Sequence, residues 1–376
     1  MVNFHRSPAK DLPYVVGEPE LPEFVRYTEG LSRIWQKKEI TNFGTYHYLF
    51  ETALQEYLQC ENVVLYSSGT NALEALIATL DVKKSVITSP YSFVATVSAL
   101  NRNKISPLFV DVGESDWNMA ADKISVSDLD QADLILGTHN YGYPSDVNQL
   151  EKKARDFNIP LIFDAAHSMG AKYKNKHLVN YGDASVLSFH ATKILSSIEG
   201  GAIITHDNRL ADELKLFRSF GFNAGRGSPR INSSNSKMSE AHALFGLLQL
   251  EKFDSTLSKR RSIFYQYFKN LENFEGIEFI KPGNEVMING SYLPLLIKKC
   301  FAERNEIMKY LKEYHIHTKP YFEYNLASLF DTDVKYNCTE NLTKKVLCFP
   351  IHSRMSKLDV DYICDRLMSY NSFNGS

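Results

Sequence analysis

Seven short apolar runs alternate with helix-patterned segments between Asn62 and Thr205, and few folds accept a chain with that rhythm. The runs are Val63 to Tyr66, Val86 to Thr88, Leu108 to Val110, Leu134 to Thr138, Leu161 to Phe163, Val186 to Phe189 and Ala202 to Thr205. Each has the length and the β-branched content of a buried strand. Strands apolar on both faces and separated by helices build a mostly parallel, doubly wound α/β sheet with helices on both sides. In such sheets ligands settle beyond the carboxyl ends of the strands, so the residues just after each run are the ones to read for chemistry.

The rest of the chain reads as additions to that sheet. An amphipathic helix is expected over Phe24 to Trp35, a loop at Thr41-Asn42-Phe43-Gly44 and a helix over Tyr46 to Leu58. From Ser239 the apolar spacing of Ala243, Leu244, Leu247, Leu248, Leu250 and Phe253 predicts one long helix running toward Tyr267. Beyond it, strand-like Ile277 to Ile280, Leu293 to Ile297 and Val346 to Phe349, with helices over Glu303 to Tyr314 and Leu358 to Met368, predict a small α/β domain. The expected division is residues 1–255, an N-terminal arm and a large domain, and residues 256–376, the smaller one.

Charge and cysteine usage exclude several function classes. With 42 Lys plus Arg against 44 Asp plus Glu, the net charge is 42 − 44 = −2, which offers no general field to nucleic acid or an anionic membrane. The opening Met1-Val2-Asn3-Phe4-His5-Arg6 precedes no apolar run, and no stretch approaches the roughly 20 apolar residues of a membrane span. A cytoplasmic protein, neither exported nor embedded, is expected. Cys60, Cys300, Cys338, Cys348 and Cys364 are an odd set without close pairs, which argues against a disulfide framework and a zinc site. His315 and His317 alternate as on a strand, but no third ligand accompanies them, so no metal is expected.

Three strand ends carry groups that could do chemistry. Ser67-Ser68-Gly69-Thr70-Asn71-Ala72 opens a helix, where free N–H groups and hydroxyls offer a phosphate site, or simply a Ser/Thr cap. Asp164, in Leu161-Ile162-Phe163-Asp164-Ala165-Ala166-His167, ends an all-apolar strand and needs a cation or protonated nitrogen, unless it caps the turn. Lys193 follows Val186-Leu187-Ser188-Phe189-His190-Ala191-Thr192 and precedes Glu199-Gly200-Gly201, the placement of an amine held out of water. Each has an ordinary structural reading alone. Their order points to pyridoxal phosphate, which needs an amine for its aldehyde, an acid partner for its ring nitrogen and a helix start for its phosphate. The ring also wants an aromatic face, which Phe93 could supply or could instead bury in the core.

These segments, with Ile40-Thr41-Asn42, Gly44 and Leu347-Cys348-Phe349-Pro350-Ile351, resemble the sugar aminotransferases of the DegT/DnrJ/EryC1/StrS family through nearly the whole chain. The resemblance implies the aspartate-aminotransferase-like fold (fold type I) with a seven-stranded sheet. It implies Lys193 as the amine that holds the cofactor, Asp164 as partner of the ring nitrogen and His167 beside the phenolic oxygen. Phe93 would stack on the ring, and Ser68, Gly69, Thr70 and Ser188 would hold the phosphate. Asn235-Ser236-Lys237-Met238-Ser239-Glu240 looks like the family's Asn-Tyr-Arg-Met-Ser-Glu, whose Asn reaches the neighbouring subunit's phosphate, so a homodimer with shared sites is implied. Lys237 stands where the family has Arg, and Phe222 to Ser234 depart from its pattern. The implied partners are L-glutamate and a nucleotide-linked 4-keto-6-deoxyhexose aminated at C4, foremost dTDP-4-keto-6-deoxyglucose. A GDP-perosamine-type or C3 aminotransferase is the alternative within the family. Two other classes are disfavoured: a nicotinamide oxidoreductase, because GxGxxG is missing, and an inactive pyridoxal phosphate-binding homologue, because Lys193, Asp164 and His167 are all present. Arg226, Arg230 and Lys259-Arg260-Arg261 are lesser candidates for a substrate diphosphate, and Tyr321 for the sugar.

Overall fold

The computed structural model describes residues 13–223, 226–298, 300–331 and 333–373; the first twelve residues of the expected N-terminal arm lie outside the described residues. Helices α1 (Phe24–Lys37) and α2 (Thr45–Leu58) lead into strand β1 (Asn62–Tyr66) and helix α3 (Gly69–Thr79). There follow β2 (Ser85–Thr88), α4 (Val94–Arg102), β3 (Pro107–Phe109), α5 (Val126–Gln131), β4 (Ala132–Thr138), α6 (Val147–Phe157) and β5 (Leu161–Asp164). Strands β6 (Ala184–Ser188) and β7 (Gly201–Thr205) complete the sheet before α7 (Asn208–Phe217), α8 (Glu240–Leu250) and α9 (Phe253–Leu271). All seven apolar runs are strands of one sheet, in the order β1-β7-β6-β5-β4-β2-β3.

That sheet is parallel except at β7, which runs antiparallel to both β1 and β6. Alternate residues of each strand feed opposite faces, as the pleat requires. Val64 and Tyr66 pack with Leu73 and Leu76 of α3 and Leu214 of α7, while Val63 and Leu65 pack with Phe50 and Leu54 of α2 and Ala243 of α8. Ile135, Leu161 and Phe163 meet Val147 and Leu150 of α6. Both faces are therefore dry, which explains why the strands read as unbroken apolar runs.

The long helix expected from Ser239 is two helices, α8 and α9, broken at Glu251-Lys252. No Pro or Gly marks the break. Lys252 leaves the helical region (φ −106°, ψ 5°), and Glu251 and Lys252 reach instead to Arg26 and Glu23 at the start of α1. After α9 come β8 (Ile277–Glu278), β9 (Leu293–Ile297), α10 (Arg304–Glu313), α11 (Asn337–Lys345), β10 (Val346–Phe349) and α12 (Lys357–Phe373). Strands β8, β9 and β10 form a separate antiparallel sheet in the order β8-β9-β10. The strand expected over Ile277 to Ile280 is only two residues long, because β9 offers partners to Ile277 and Glu278 alone. Among the described residues no helix is long and apolar enough to cross a membrane, and no cluster of His, Cys, Asp and Glu could hold a metal.

Candidate active site

A cavity of about 390 Å³ opens at the carboxyl ends of β1, β5 and β6. Ser68, Gly69, Thr70, Phe93, Asp164, His167, Ser188 and Lys193 all line it. Asn235 does not; it lies apart on the segment bridged to Ser219, with its Oδ1 accepting from Lys237 Nζ at 2.6 Å.

One wall is the start of α3. Ser68 is the N-cap, and its Oγ accepts from the Asn71 N–H at 3.1 Å, leaving the N–H groups of Gly69 and Thr70 without a partner inside the helix. They point the positive end of the helix at the cavity. The loop lies so close to β7 that a Cβ on Gly201 would sit 2.5 Å from Gly69 N and 2.6 Å from the Ser68 carbonyl. A Cβ on Gly69 would stand 3.0 Å from Ser188 Cβ. Since Gly201 pairs with Tyr66 on one side and Ser188 on the other, β7 is the spacer that brings the loop and Ser188 together. Small residues here are demanded by backbone approach.

The opposite end holds the carboxylate. Asp164 Oδ1 accepts from Ala166 N–H at 3.1 Å, and Oδ2 from Thr96 Oγ1 at 2.9 Å. Protein surrounds the group, so burial pushes its carboxyl up, against the pull of both hydrogen bonds and the Lys193 charge. His167 stacks on Phe322 (6.0 Å, 8°) and packs on Tyr292. Burial first, and the Lys193 charge second, hold its imidazole well below the usual range, so it is neutral. Its Nδ1 accepts from Tyr141 N–H at 3.1 Å, which leaves the proton on Nε2. Tyr141 makes that bond from the left-handed region (φ 58°), a conformation costly for a bulky residue and held by a buried setting.

Lys193 follows a turn closed by its own N–H on His190 O at 2.9 Å, and its Nζ lies 5.8 Å from the Tyr292 ring centre. Burial lowers its amine to about 8, with Asp164 pulling the other way. Phe93 stands at the rim as N-cap of α4, 53% exposed, its ring face free to stack. A buried amine, a buried carboxylate, a helix start with free N–H groups and an open aromatic face are the donor set that pyridoxal phosphate requires, and the residues fit it.

Several contributors escaped the sequence reading. Tyr292 and Phe322 come from the C-terminal region and close the cavity over His167. Asn289, buried, donates from Nδ2 to His167 O at 2.7 Å and to Met169 O at 3.0 Å, tying that region to the β5 loop. Glu240, also buried, accepts from the N–H groups of Tyr46 and His47 at 2.7 and 3.1 Å, so the motif's glutamate caps α2. Only Glu240 stands in a motif, which does not reveal its capping role; each is defined by a partner more than 100 residues away. The diphosphate candidates Arg260 and Arg261 are spent elsewhere. Arg260, buried, donates to Gly290 O and Ile351 O, and Arg261 to Ile288 O and Gly170 O, because backbone carbonyls at this junction need donors. Arg230 pairs with Glu213 on the surface, and the Arg226 side chain lies outside the described residues.

Known proteins resemble this chain along most of its length. The profile of the DegT/DnrJ/EryC1/StrS aminotransferase family matches residues 26–368. A dTDP-4-amino-4,6-dideoxy-D-glucose transaminase from Shigella dysenteriae is 36% identical over 360 residues, covering 93% of this chain and 97% of that protein. One of the same name from Escherichia coli is 33% identical, covering 91% and 94%. The crystal structure of DesI in the presence of its TDP-sugar product superposes with a TM-score of 0.90 at 29% identity, covering 96% of this chain and 93% of that one. With fold, strand-end chemistry and similarity along the chain in agreement, this protein belongs to the DegT/DnrJ/EryC1/StrS aminotransferase family, whose members work with pyridoxal phosphate.

Proposed function

We propose that the chain moves the amino group of L-glutamate to the C4 ketone of a nucleotide-linked 4-keto-6-deoxyhexose, foremost dTDP-4-keto-6-deoxyglucose, giving dTDP-4-amino-4,6-dideoxyglucose. The observation that carries this is the Lys193 amine, lowered to about 8, inside a cavity whose relatives are dTDP-4-amino-4,6-dideoxy-D-glucose transaminases. When bound, pyridoxal phosphate supplies the electron sink that lets a proton leave the carbon bearing the transferred nitrogen.

The chain's residues do the rest. Lys193 holds the cofactor, and, once displaced, its neutral amine takes the proton from the amino acid's α-carbon and returns it on the other side of the transfer. In the second half, with the sugar, the same amine runs that shuttle in reverse. Asp164 keeps a positive charge favourable at the ring nitrogen throughout. His167, neutral and protonated on Nε2, donates toward the phenolic oxygen. Ser68, Gly69, Thr70 and Ser188 hold the phosphate, and Phe93 covers one ring face. Tyr292, Phe322 and Tyr321 form the wall that limits water at Lys193.

The enzyme works as a homodimer, with Asn235 serving the neighbouring subunit's site. Its position outside this subunit's cavity and the exposed Phe24, Val25, Trp35 and Leu49 of α1 and α2 support that reading. The boundary between the domains is placed at residue 255, within the start of α9. Free thiols on all five cysteines support a reducing, cytoplasmic setting.

Glutamate-dependent amination assayed across dTDP-, UDP- and GDP-linked 4-keto-6-deoxy sugars tests the proposal. Fastest turnover with the dTDP sugar, and none by Lys193→Ala, is expected; amino-sugar formation by that variant would refute the lysine assignment.

A further inference from the structure

We infer that Thr96, backed by Ser92, is a positioning residue that holds Asp164 in the ionised, ring-facing state the reaction needs. It rests on the reading of Asp164 as partner of the cofactor's ring nitrogen.

The geometry is a directed chain of hydrogen bonds. Thr96 is fully buried, and its Oγ1 lies 2.9 Å from Asp164 Oδ2 and 2.8 Å from Ser92 Oγ. An ionised carboxylate only accepts, so the single Thr96 proton points to Asp164, and the Ser92 hydroxyl donates to Thr96. With Ala166 N–H on Oδ1 at 3.1 Å, each carboxylate oxygen has one donor, and Asp164 lines the cavity. Burial favours the neutral acid, and these two donors together with Lys193 oppose it. Of the three, Thr96 Oγ1 is the only neutral side-chain donor, and it is the one a substitution can remove without touching the backbone or the reacting amine.

Thr96 also couples two contacts. It stands in the first turn of α4, with its N–H on Phe93 O at 3.1 Å, and Phe93 is the N-cap whose ring faces the cavity. One helical turn thus fixes the aromatic face and the carboxylate relative to one another, and a shift of one carries the other.

The test compares Thr96→Val, which keeps shape and loses the hydroxyl, with Thr96→Ser, which keeps the hydroxyl and loses the methyl. Pyridoxal phosphate is titrated into each stripped protein, and the visible band of the loaded protein is followed against pH. Thr96→Val is expected to weaken cofactor binding about tenfold, the scale of one hydrogen bond to a charged group, and to move the spectral titration toward that of Asp164→Asn. Thr96→Ser is expected to stay within about twofold of the parent, since its donor remains. If the Val variant matches the parent, or the Ser variant loses as much as the Val variant, the role is packing and the inference falls. Should Thr96→Val not fold, Ser92→Ala takes its place, with binding weakened about threefold in the same direction and an unchanged value counting against the inference. An Asp164→Asn variant that titrates like the parent brings down the ring-nitrogen reading itself, and this one with it, and is told apart by that control.

Discussion

The Lys193 amine offers a direct measurement. Burial lowers it from the ordinary 10.5 to about 8, while the Asp164 carboxylate opposes the drop. At about pH 7.5 an amine titrating at 8 is roughly one quarter neutral, against about one part in a thousand for one at 10.5, so Lys193 is about 200-fold richer in the nucleophilic form than a surface lysine. Competitive labelling of the cofactor-free protein with acetic anhydride, read peptide by peptide by mass spectrometry across pH 6 to 11, gives its titration alone. A midpoint near 8 is expected. Asp164→Asn removes the attraction that favours the ammonium, so the midpoint falls further, by about one unit for a nearby opposite charge. A Lys193 that labels like the other lysines, with a midpoint near 10, or an Asn variant that moves the midpoint upward, would refute the buried, Asp164-coupled amine.

Other perturbations separate the parts of the site. Gly201→Ala places a carbon 2.5 Å from Gly69 N, where only backbone can give way, so it is expected to lower stability by about 1–3 kcal/mol and to weaken cofactor binding as the loop retreats; Gly283→Ala, whose Cβ meets nothing nearer than 3.9 Å, is the control, and equal stability and affinity for both would contradict the close packing. Arg218→Met leaves Glu51 buried without the guanidinium 2.7 Å away and is expected to cost about 3–5 kcal/mol by chemical denaturation. For Glu51 itself, burial alone would raise the carboxyl, but Arg218, His47 and the Leu65 N–H hold it at about 2, below the ordinary 4.5. The folded value is the lower one, so its stabilising contribution is full above 4.5 and disappears as pH falls through 2; acid unfolding of the Arg218→Met variant is expected to begin at higher pH, and a midpoint identical to the parent's would count against it. Asn289→Ala frees the His167 carbonyl from its donor at 2.7 Å and is expected to reduce turnover more than it weakens cofactor binding, read as separate kcat and titration changes.

What the sequence made legible follows from where the information lies. The seven strands could be placed within a residue or two because burial on both faces leaves most of them as apolar runs with clear ends, although the edge strand β3 is only half-buried. Ser68, Asp164 and Lys193 could be read because strand ends in a parallel sheet converge, so position along the chain already implies proximity. Thr96, Asn289 and Glu240 could not, since each looks like an ordinary polar residue until its distant partner is known. The break between α8 and α9 was hidden as well: no Pro or Gly marks it, and the side chains at it pair with Glu23 and Arg26, more than 200 residues earlier. Arg260 and Arg261 misled in the opposite sense, as a basic pair whose charge serves the interior.

The place of β7 bears on how the enzyme is made. In this sheet β1 has a single neighbour, β7, the last strand to be synthesised. A nascent chain that has released Ser67 to Thr70 therefore holds β1 against α2 and α3 but without its strand partner until residues 201–205 emerge about 130 residues later. A chain that ends before β7 leaves both β1 and β6 without the partner between them, and the exposed edge at β6 is the kind that invites pairing with other chains.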